Sequence, residues 1–210
     1  MKTNMLAKPL VLAIALAATG LGLFLGEASA QPKPADPDWP CVQQLLPEIA
    51  GGMIWSGPAL DDLPPPEDQR SLNGLAKELA ARRVPIEEAK RQIESFSKPL
   101  HANDRADALA ALFKTTLDII NGDRAEIING IKKFSKGQRK LADSINAKNL
   151  EIEAMDRDDI LARDAAMAER DWDVRIFEDR RRSLVYLCEQ PVLLEQRAFA
   201  LARSIASHIE

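Results

Sequence analysis

The residue types that most often carry chemistry are scarce in this sequence of 210 residues. There are two cysteines, Cys41 and Cys188, and two histidines, His101 and His208. Two thiols are too few for a four-thiolate zinc site, and they do not form the C-x-x-C pair of redox proteins. Neither histidine belongs to a catalytic motif, so we predict that both are surface residues.

Three neighbouring carboxylates, Asp156, Asp158 and Asp159, could bind calcium, which prefers oxygen ligands on a short loop. An EF-hand loop that starts at Asp156 needs glycine where Leu161 stands and glutamate where Met167 stands, so the pattern fails. The nucleophile-elbow, zinc-peptidase, P-loop, dinucleotide-binding and haem-attachment motifs are also absent from the sequence. We predict no catalytic residue, no cofactor-binding residue and no metal ligand, and hence a protein that is not an enzyme.

The charge balance argues against a protein that binds nucleic acid. The 28 lysines and arginines are outnumbered by 32 aspartates and glutamates, which gives a formal net charge of -4. A chain that binds the phosphate backbone normally carries an excess of basic residues on one face. Aromatic residues make up only 5% of the chain, which disfavours a β-rich domain with a large aromatic core. We expect no nucleic-acid partner.

Residues 1–30 have the pattern of a cleaved signal peptide. A basic start precedes the apolar stretch of residues 10–25, which is shorter than the ~20 residues needed to span a bilayer. Ala28 and Ala30 then occupy the −3 and −1 positions of a signal-peptidase site, so cleavage is predicted before Gln31. An uncleaved signal anchor is the alternative. We predict a periplasmic or secreted protein with no transmembrane segment after cleavage.

Export changes the interpretation of the two cysteines. An even pair in an oxidising compartment most simply forms one disulfide bond, here between Cys41 and Cys188. A redox-active pair is the functional alternative, but the two positions lie far apart in the sequence. We predict a structural bridge that ties the N-terminal segment to the distant part of the chain.

Residues 31–68 form a proline-rich arm. This segment holds nine of the thirteen prolines, which lack a backbone donor and disfavour helix in the preceding residue. It is also rich in apolar residues, as a disordered tail would not be. The glycine-flanked residues Met53, Ile54 and Trp55 have two interpretations: they pack on the body of the protein, or they form a mobile loop that docks a partner.

Residues 69–210 are predicted to form a helical domain. Apolar residues recur at three- and four-residue spacing from Leu72 onward, and Pro85 and Pro99 separate the first helices. A third helix is predicted from about Asn103 to Asn121, where the Asn-Gly pair 121–122 is typical of a helix end.

A long antiparallel hairpin is predicted over residues 123–188. Apolar residues follow a heptad spacing that polar Gln138 and Lys148 interrupt. The bend is expected at residues 155–158, with Asp156 or Asp158 as the next N-cap, and the return helix passes through Leu161, Trp172 and Leu187, among other apolar residues. Pro191 is expected to break or kink the path before a last helix. The predicted fold class is an all-α bundle of five or six helices, dominated by this hairpin.

Two short motifs of the arm resemble those of a known group. Asp38-Trp39-Pro40-Cys41-Val42-Gln43, followed by Ile54-Trp55-Ser56-Gly57-Pro58, resembles the start of small exported proteins of alphaproteobacteria, a group without an assigned activity. The resemblance covers about twenty residues of the sequence. It implies an exported location and a shared fold, and it carries over no catalytic or binding residue.

The leading prediction is a non-enzymatic envelope protein that binds another protein, or itself, through a helical face or the Trp55 loop. Its candidate partner contacts are Met53, Ile54, Trp55, Gln138 and Lys148. The two polar residues motivate this prediction, because a hairpin with an imperfect seam often completes its packing against a partner.

The alternative prediction is a carrier of a small molecule or lipid. Its cavity would lie inside the bundle, near three aromatic residues: Phe113, Phe134 and Trp172. A carrier would retain a ligand during purification, whereas an interaction module would retain a protein.

Overall fold

The computed structural model describes residues 36–209, and every regular element within that range is helical. The elements are α1 (Gly51–Ile54), α2 (Gln69–Ala80), α3 (Ile86–Ser97), α4 (Ala102–Ala154) and α5 (Ile160–Ala206). The predicted all-α fold class is therefore confirmed. The predicted signal peptide and its cleavage residues, Ala28, Ala30 and Gln31, lie outside the described residues.

The two longest helices, α4 and α5, form the predicted antiparallel hairpin. They contain 53 and 47 residues, which correspond to about 80 and 70 Å at 1.5 Å per residue. The Asp159 side chain caps α5 by accepting a hydrogen bond from the Ala162 N–H at 3.2 Å. Asp156 instead accepts from the Asp158 N–H within the turn, so the predicted cap at Asp156 or Asp158 was wrong by three positions or by one.

The predicted helix end at Asn121 and Gly122 is wrong, because α4 continues through both residues. The Asn121 side chain serves the arm: its Oδ1 accepts from the Ile49 N–H at 3.0 Å and its Nδ2 donates to the Ile49 carbonyl at 3.1 Å. Ile120 and Arg124 on either side are buried. This packing outweighs the cost of about 1 kcal/mol that a glycine brings to a helix interior.

The predicted break at Pro191 is also wrong, because this proline lies inside α5. Proline removes the N–H that would donate to the carbonyl four residues earlier, which costs about 3 kcal/mol in a helix interior. The following turns bury Leu194, Ala198 and Leu201 in the core, and this burial holds the helix together. The hairpin consequently extends well beyond the predicted range of 123–188 at both ends.

The hydrophobic core lies at the base of the hairpin. There the short helices α2 and α3 pack against the first part of α4 and the last part of α5. Its most buried large side chains include Leu72, Leu79, Ile93, Leu109, Leu112, Phe113, Ile120, Leu194, Leu201 and Ile205. On α5, no residue before Cys188 is buried. The outer part of the hairpin, which comprises residues 136–154 and 160–187, is therefore a two-helix extension of the base.

The proline-rich arm packs on this base. Ile49 is buried in the core, and Leu60 packs against it. The Leu46 carbonyl accepts a hydrogen bond from Arg124 of α4 at 3.2 Å. Within residues 36–209, none of the helices combines the length and hydropathy needed to cross a membrane.

Candidate interaction surfaces

The Trp55 segment docks on the protein's own body. The Trp55 ring stacks on Phe113 with centroids 4.4 Å apart and planes inclined by 7°, and its Nε1 donates to the Pro58 carbonyl at 2.7 Å. A Cβ atom on Gly57 would overlap the Trp55 ring, so the close approach requires glycine there. Of the three predicted contacts in this segment, Ile54 and Trp55 pack on the core, and only Met53 is largely exposed.

The two polar residues of the hairpin seam both have partners on α5, although the buried Oε1 of Gln138 has none. Gln138 Nε2 donates to the Phe177 carbonyl at 3.1 Å. Lys148 forms ion pairs with Glu169 and Asp173 across the two helices. The hydrogen bond to Glu169, followed by that to Asp173, raises the pKa of Lys148. Gln138 and Lys148 therefore join α4 to α5, and they do not supply the unfilled seam that motivated a partner.

The start of the arm is held to α4 by ion pairs. Lys132 Nζ lies 2.8 Å from Asp36 Oδ2, and Lys136 Nζ lies 2.8 Å from Asp38 Oδ2. Arg139 also pairs with Asp38. The hydrogen bond from Lys132 lowers the pKa of Asp36, and that from Lys136 lowers the pKa of Asp38.

Acidification is expected to release residues 36–40 from α4. A carboxylate whose pKa is depressed by folding stabilises the folded state above its unfolded-state pKa, near 3.8 for aspartate, and loses this contribution as the pH falls through the folded-state pKa. The indole N–H of Trp39, which donates to the Gln43 carbonyl at 2.7 Å, provides an NMR probe. We expect its resonance to shift below about pH 4.

Two aspartate variants make this titration specific. Asp38→Asn should move the Trp39 resonance toward its acid position even at neutral pH, because the ion pairs with Lys136 and Arg139 are lost. Asp61→Asn, at an exposed position of the arm, should leave the titration unchanged. Identical titrations in all three proteins would contradict a role for the ion pairs in holding the arm.

The two cysteines lie at disulfide distance. The sulfur atoms of Cys41 and Cys188 are 2.02 Å apart. This pair joins the arm to α5 at the point where burial along that helix begins. Beside it lies a cavity of about 200 Å³ between the arm and α5, lined in part by Trp39, Leu46 and Pro191.

Two buried arginines connect distant segments, and neither was predicted. Arg124 is only 1% exposed, and it pairs with Glu195 of α5 while donating to the arm at Leu46. Arg197 donates to the Leu79 carbonyl at 2.6 Å and to the Val84 carbonyl at 2.8 Å. Burial lowers the pKa of Arg197. Both side chains serve the fold by donating to carbonyl groups at the end of α2, in the connection to α3 and in the arm.

The aromatic residues of the predicted carrier cavity do not come together. Phe113 lies in the core against Trp55, Phe134 is half-buried, and Trp172 is exposed on the hairpin extension. A cleft of about 380 Å³ lies elsewhere, between the end of the arm and the starts of α2 and α4. Its lining includes Pro64, Pro66, Phe96, Leu100, His101 and Asp104. His101, predicted as a surface residue, is exposed at this cleft.

Three large exposed apolar side chains of the hairpin extension lie on one stripe of α5, while Leu150, Ile160 and Val185 are exposed off that stripe. Leu161 is 84% exposed, Trp172 62% and Tyr186 70%. They belong to the series Leu161, Ala165, Ala168, Trp172, Arg175, Asp179, Arg182 and Tyr186, which advances by four and three residues alternately. All eight positions are exposed. We call this series the outer face of α5.

The outer face refines the prediction for the return helix. This helix was predicted to pass through a series of apolar residues, and these residues do not share one environment. The structure leaves Leu161, Ala165, Ala168 and Trp172 exposed and places Leu184 and Leu187 in half-buried positions. The heptad spacing of the outer face was visible in the sequence. A second stripe, which contains Leu184 and Leu187, is interleaved with it, and spacing alone does not show which of the two meets α4.

No protein-family model, no curated protein and no solved structure matches the chain. In the part of the chain that the structure describes, no group of three or more His, Cys, Asp or Glu side chains is arranged to hold a metal ion.

Proposed function

We propose that the protein is an exported, non-enzymatic module of the cell envelope that binds protein through the outer face of α5. One observation carries this proposal: Leu161, Trp172 and Tyr186 are each more than 60% exposed along one stripe of one helix. Large apolar side chains that recur on an unpartnered face favour protein association, because covering them removes apolar surface from water.

Three features support export. The basic start, the apolar stretch and the Ala28-Ser29-Ala30 sequence fit a signal peptide cleaved before Gln31. The cysteines at disulfide distance fit an oxidising compartment, where such bonds persist. The resemblance of the arm to small exported alphaproteobacterial proteins agrees with this location. We propose the periplasm or the exterior as the place of action.

The outer face of α5 is a better candidate for the protein-binding surface than the Trp55 segment. Trp55 is engaged by Phe113 and by the Pro58 carbonyl, so its release would cost contacts that the fold already uses. Trp172 is exposed, and its use by a partner costs no internal contact of this kind. Tryptophan and tyrosine are also the residues most often found at the energetic centre of protein interfaces.

Site-specific photocrosslinking in intact cells tests the proposal. A photoreactive amino acid in place of Trp172 should give a discrete protein adduct, because a bound partner lies against this position. The same amino acid in place of Arg83, whose side chain is 77% exposed on the base, is the matched control and should give none. Absence of any adduct from positions 161, 172 and 186 would contradict the proposal.

The cleft of about 380 Å³ favours a second candidate function, that of a small-molecule carrier. Native mass spectrometry of protein purified from its own host should then show mass beyond the polypeptide. Ala108→Trp, which places a large side chain in the cleft lining, should remove this extra mass. An unmodified mass for the wild-type protein would contradict the carrier function.

A further inference from the structure

We infer that the outer face of α5 binds the outer face of a second copy of this chain, with the two helices antiparallel. This inference rests on the proposed function, because it names the protein that covers the exposed stripe. The dyad of the pair would pass between Asp173 and Val174, near the middle of the stripe.

The charge distribution along α5 is self-complementary in this orientation. Residues 160–173 of α5, next to the hairpin bend, carry four acidic and two basic side chains. Residues 174–188, next to the base, carry four basic and two acidic side chains. An antiparallel pair places the acidic half of each helix beside the basic half of the other, whereas a parallel pair places like charges together.

Ion pairs within one chain do not cancel the charge difference between the two halves of α5. Lys148 of α4 engages Glu169 and Asp173, which flank the hairpin interface. Asp164 remains exposed on the acidic half, as do Arg175 and Arg180 on the basic half. The ion pairs of Arg181 and Arg182 with acidic residues three positions earlier are exposed, and such pairs contribute little.

The same twofold axis also brings residues of the two outer faces, one from each copy, into favourable pairs. Leu161 meets Tyr186 of the second copy, so the largest apolar side chains at the two ends of the stripe cover each other. Trp172 meets Arg175 of the second copy, and a guanidinium against an indole face is a favourable cation–π contact. Ala165 and Ala168 lie between these anchors, and their small side chains permit close approach of the helices.

The remainder of the structure leaves room for this contact. Residues 36–68 of the arm meet α5 at Cys188 and lie along α4, so this described part of the arm does not cover residues 161–186. The stripe spans 25 residue steps, or about 38 Å at 1.5 Å per residue. Two identical stripes of this length form one continuous isologous interface, which closes as a dimer.

Sedimentation of the purified protein over a wide concentration range tests the inference. We expect a reversible dimer, and we expect Trp172→Ala to weaken it at least tenfold. Met53→Ala removes an equally exposed apolar side chain from the arm and is the matched control, which should dimerise as the wild type does. Circular dichroism would verify that both variants remain helical.

A charge exchange tests the pairing of acidic with basic halves. Arg175→Glu/Arg182→Glu makes both halves acidic, and Asp164→Arg/Asp171→Arg makes both halves basic. Each double variant alone should be monomeric where the wild type is dimeric, and an equimolar mixture should form a heterodimer. Unchanged dimers of the separate variants, or no association in the mixture, would overturn the inference.

Spin labels at position 161 report the orientation. In the antiparallel pair the two labels lie about 38 Å apart along the helices, whereas a parallel pair brings them to about 10 Å. The short distance would overturn the antiparallel arrangement.

The self-pairing and the proposed function fail in different ways. A protein that stays monomeric at all concentrations, but gives a Trp172 adduct with another protein in cells, would overturn self-pairing and support the proposed function. A monomer without any adduct would overturn both.

Discussion

Replacing Phe113 with alanine is expected to lower the free energy of unfolding by about 4 kcal/mol and Tm by roughly 8–16 °C. The Phe113 side chain is 1% exposed in the core, and its ring carries the stacking contact with Trp55. Alanine would leave a cavity and would also remove the surface on which the arm docks. Chemical denaturation followed by circular dichroism measures the loss.

Two further variants separate this contact from a general effect of losing an aromatic ring. Phe199→Ala removes the same side chain from a position on α5 that is 41% exposed, and the loss should stay below about 1 kcal/mol. Phe113→Leu keeps most of the buried volume, and it should cost about 1.5 kcal/mol or less. Equal losses for Phe113→Ala and Phe199→Ala would contradict the placement of Phe113 in the core.

Removing the disulfide bond, by reduction or by the double change Cys41→Ser/Cys188→Ser, is expected to cost about 2–4 kcal/mol. The bond closes a sequence separation of 147 residues, and such a closure restricts the unfolded chain strongly. The helices do not depend on it, so helical content should be retained. Thermal denaturation under oxidising and reducing conditions measures the difference.

The structure predicts which part of the arm becomes free after reduction. Residues 36–48 lose their covalent tie, whereas the later arm stays anchored by Ile49 and by the stack of Trp55 on Phe113. Chymotrypsin should therefore cleave the reduced protein after Leu45 and spare Trp55, because Trp39 and Leu46 are each followed by a proline that blocks cleavage. Equal cleavage of the oxidised and reduced forms would mean that noncovalent contacts alone hold the arm.

Local sequence signals were reliable where nothing competed with them. Pro85 precedes the first residue of α3, and Glu87 and Glu88 follow in its first turn, as their preference for a helix start suggests. Asn121, Gly122 and Pro191 carry equally strong signals for a helix end, yet the helices continue. There, burial of Ile120 and Leu194 on neighbouring turns decides the outcome, and a local signal contains no information about it.

The candidate site was only partly predictable for a similar reason. The sequence indicated an apolar return helix through Leu161 and Trp172, but it did not show that both side chains are exposed. Apolar and charged residues at heptad spacing occur both on the outer face of α5 and on the stripe that meets α4. Only tertiary contacts therefore distinguish the two stripes. Buried Arg124 and Arg197 were missed because arginine is almost never buried without a partner from elsewhere in the chain.

The position of the disulfide-distance pair determines how far the hairpin extension projects from the point where the arm is attached. Cys188 lies at the border between the base and the hairpin extension, 28 residue steps along α5 from the first residue of that helix, Ile160. At 1.5 Å per residue this is a spacer of about 42 Å. The outer face runs along this length, from Tyr186 beside the base to Leu161 near the bend, so a body bound near the bend can avoid collision with whatever holds the base.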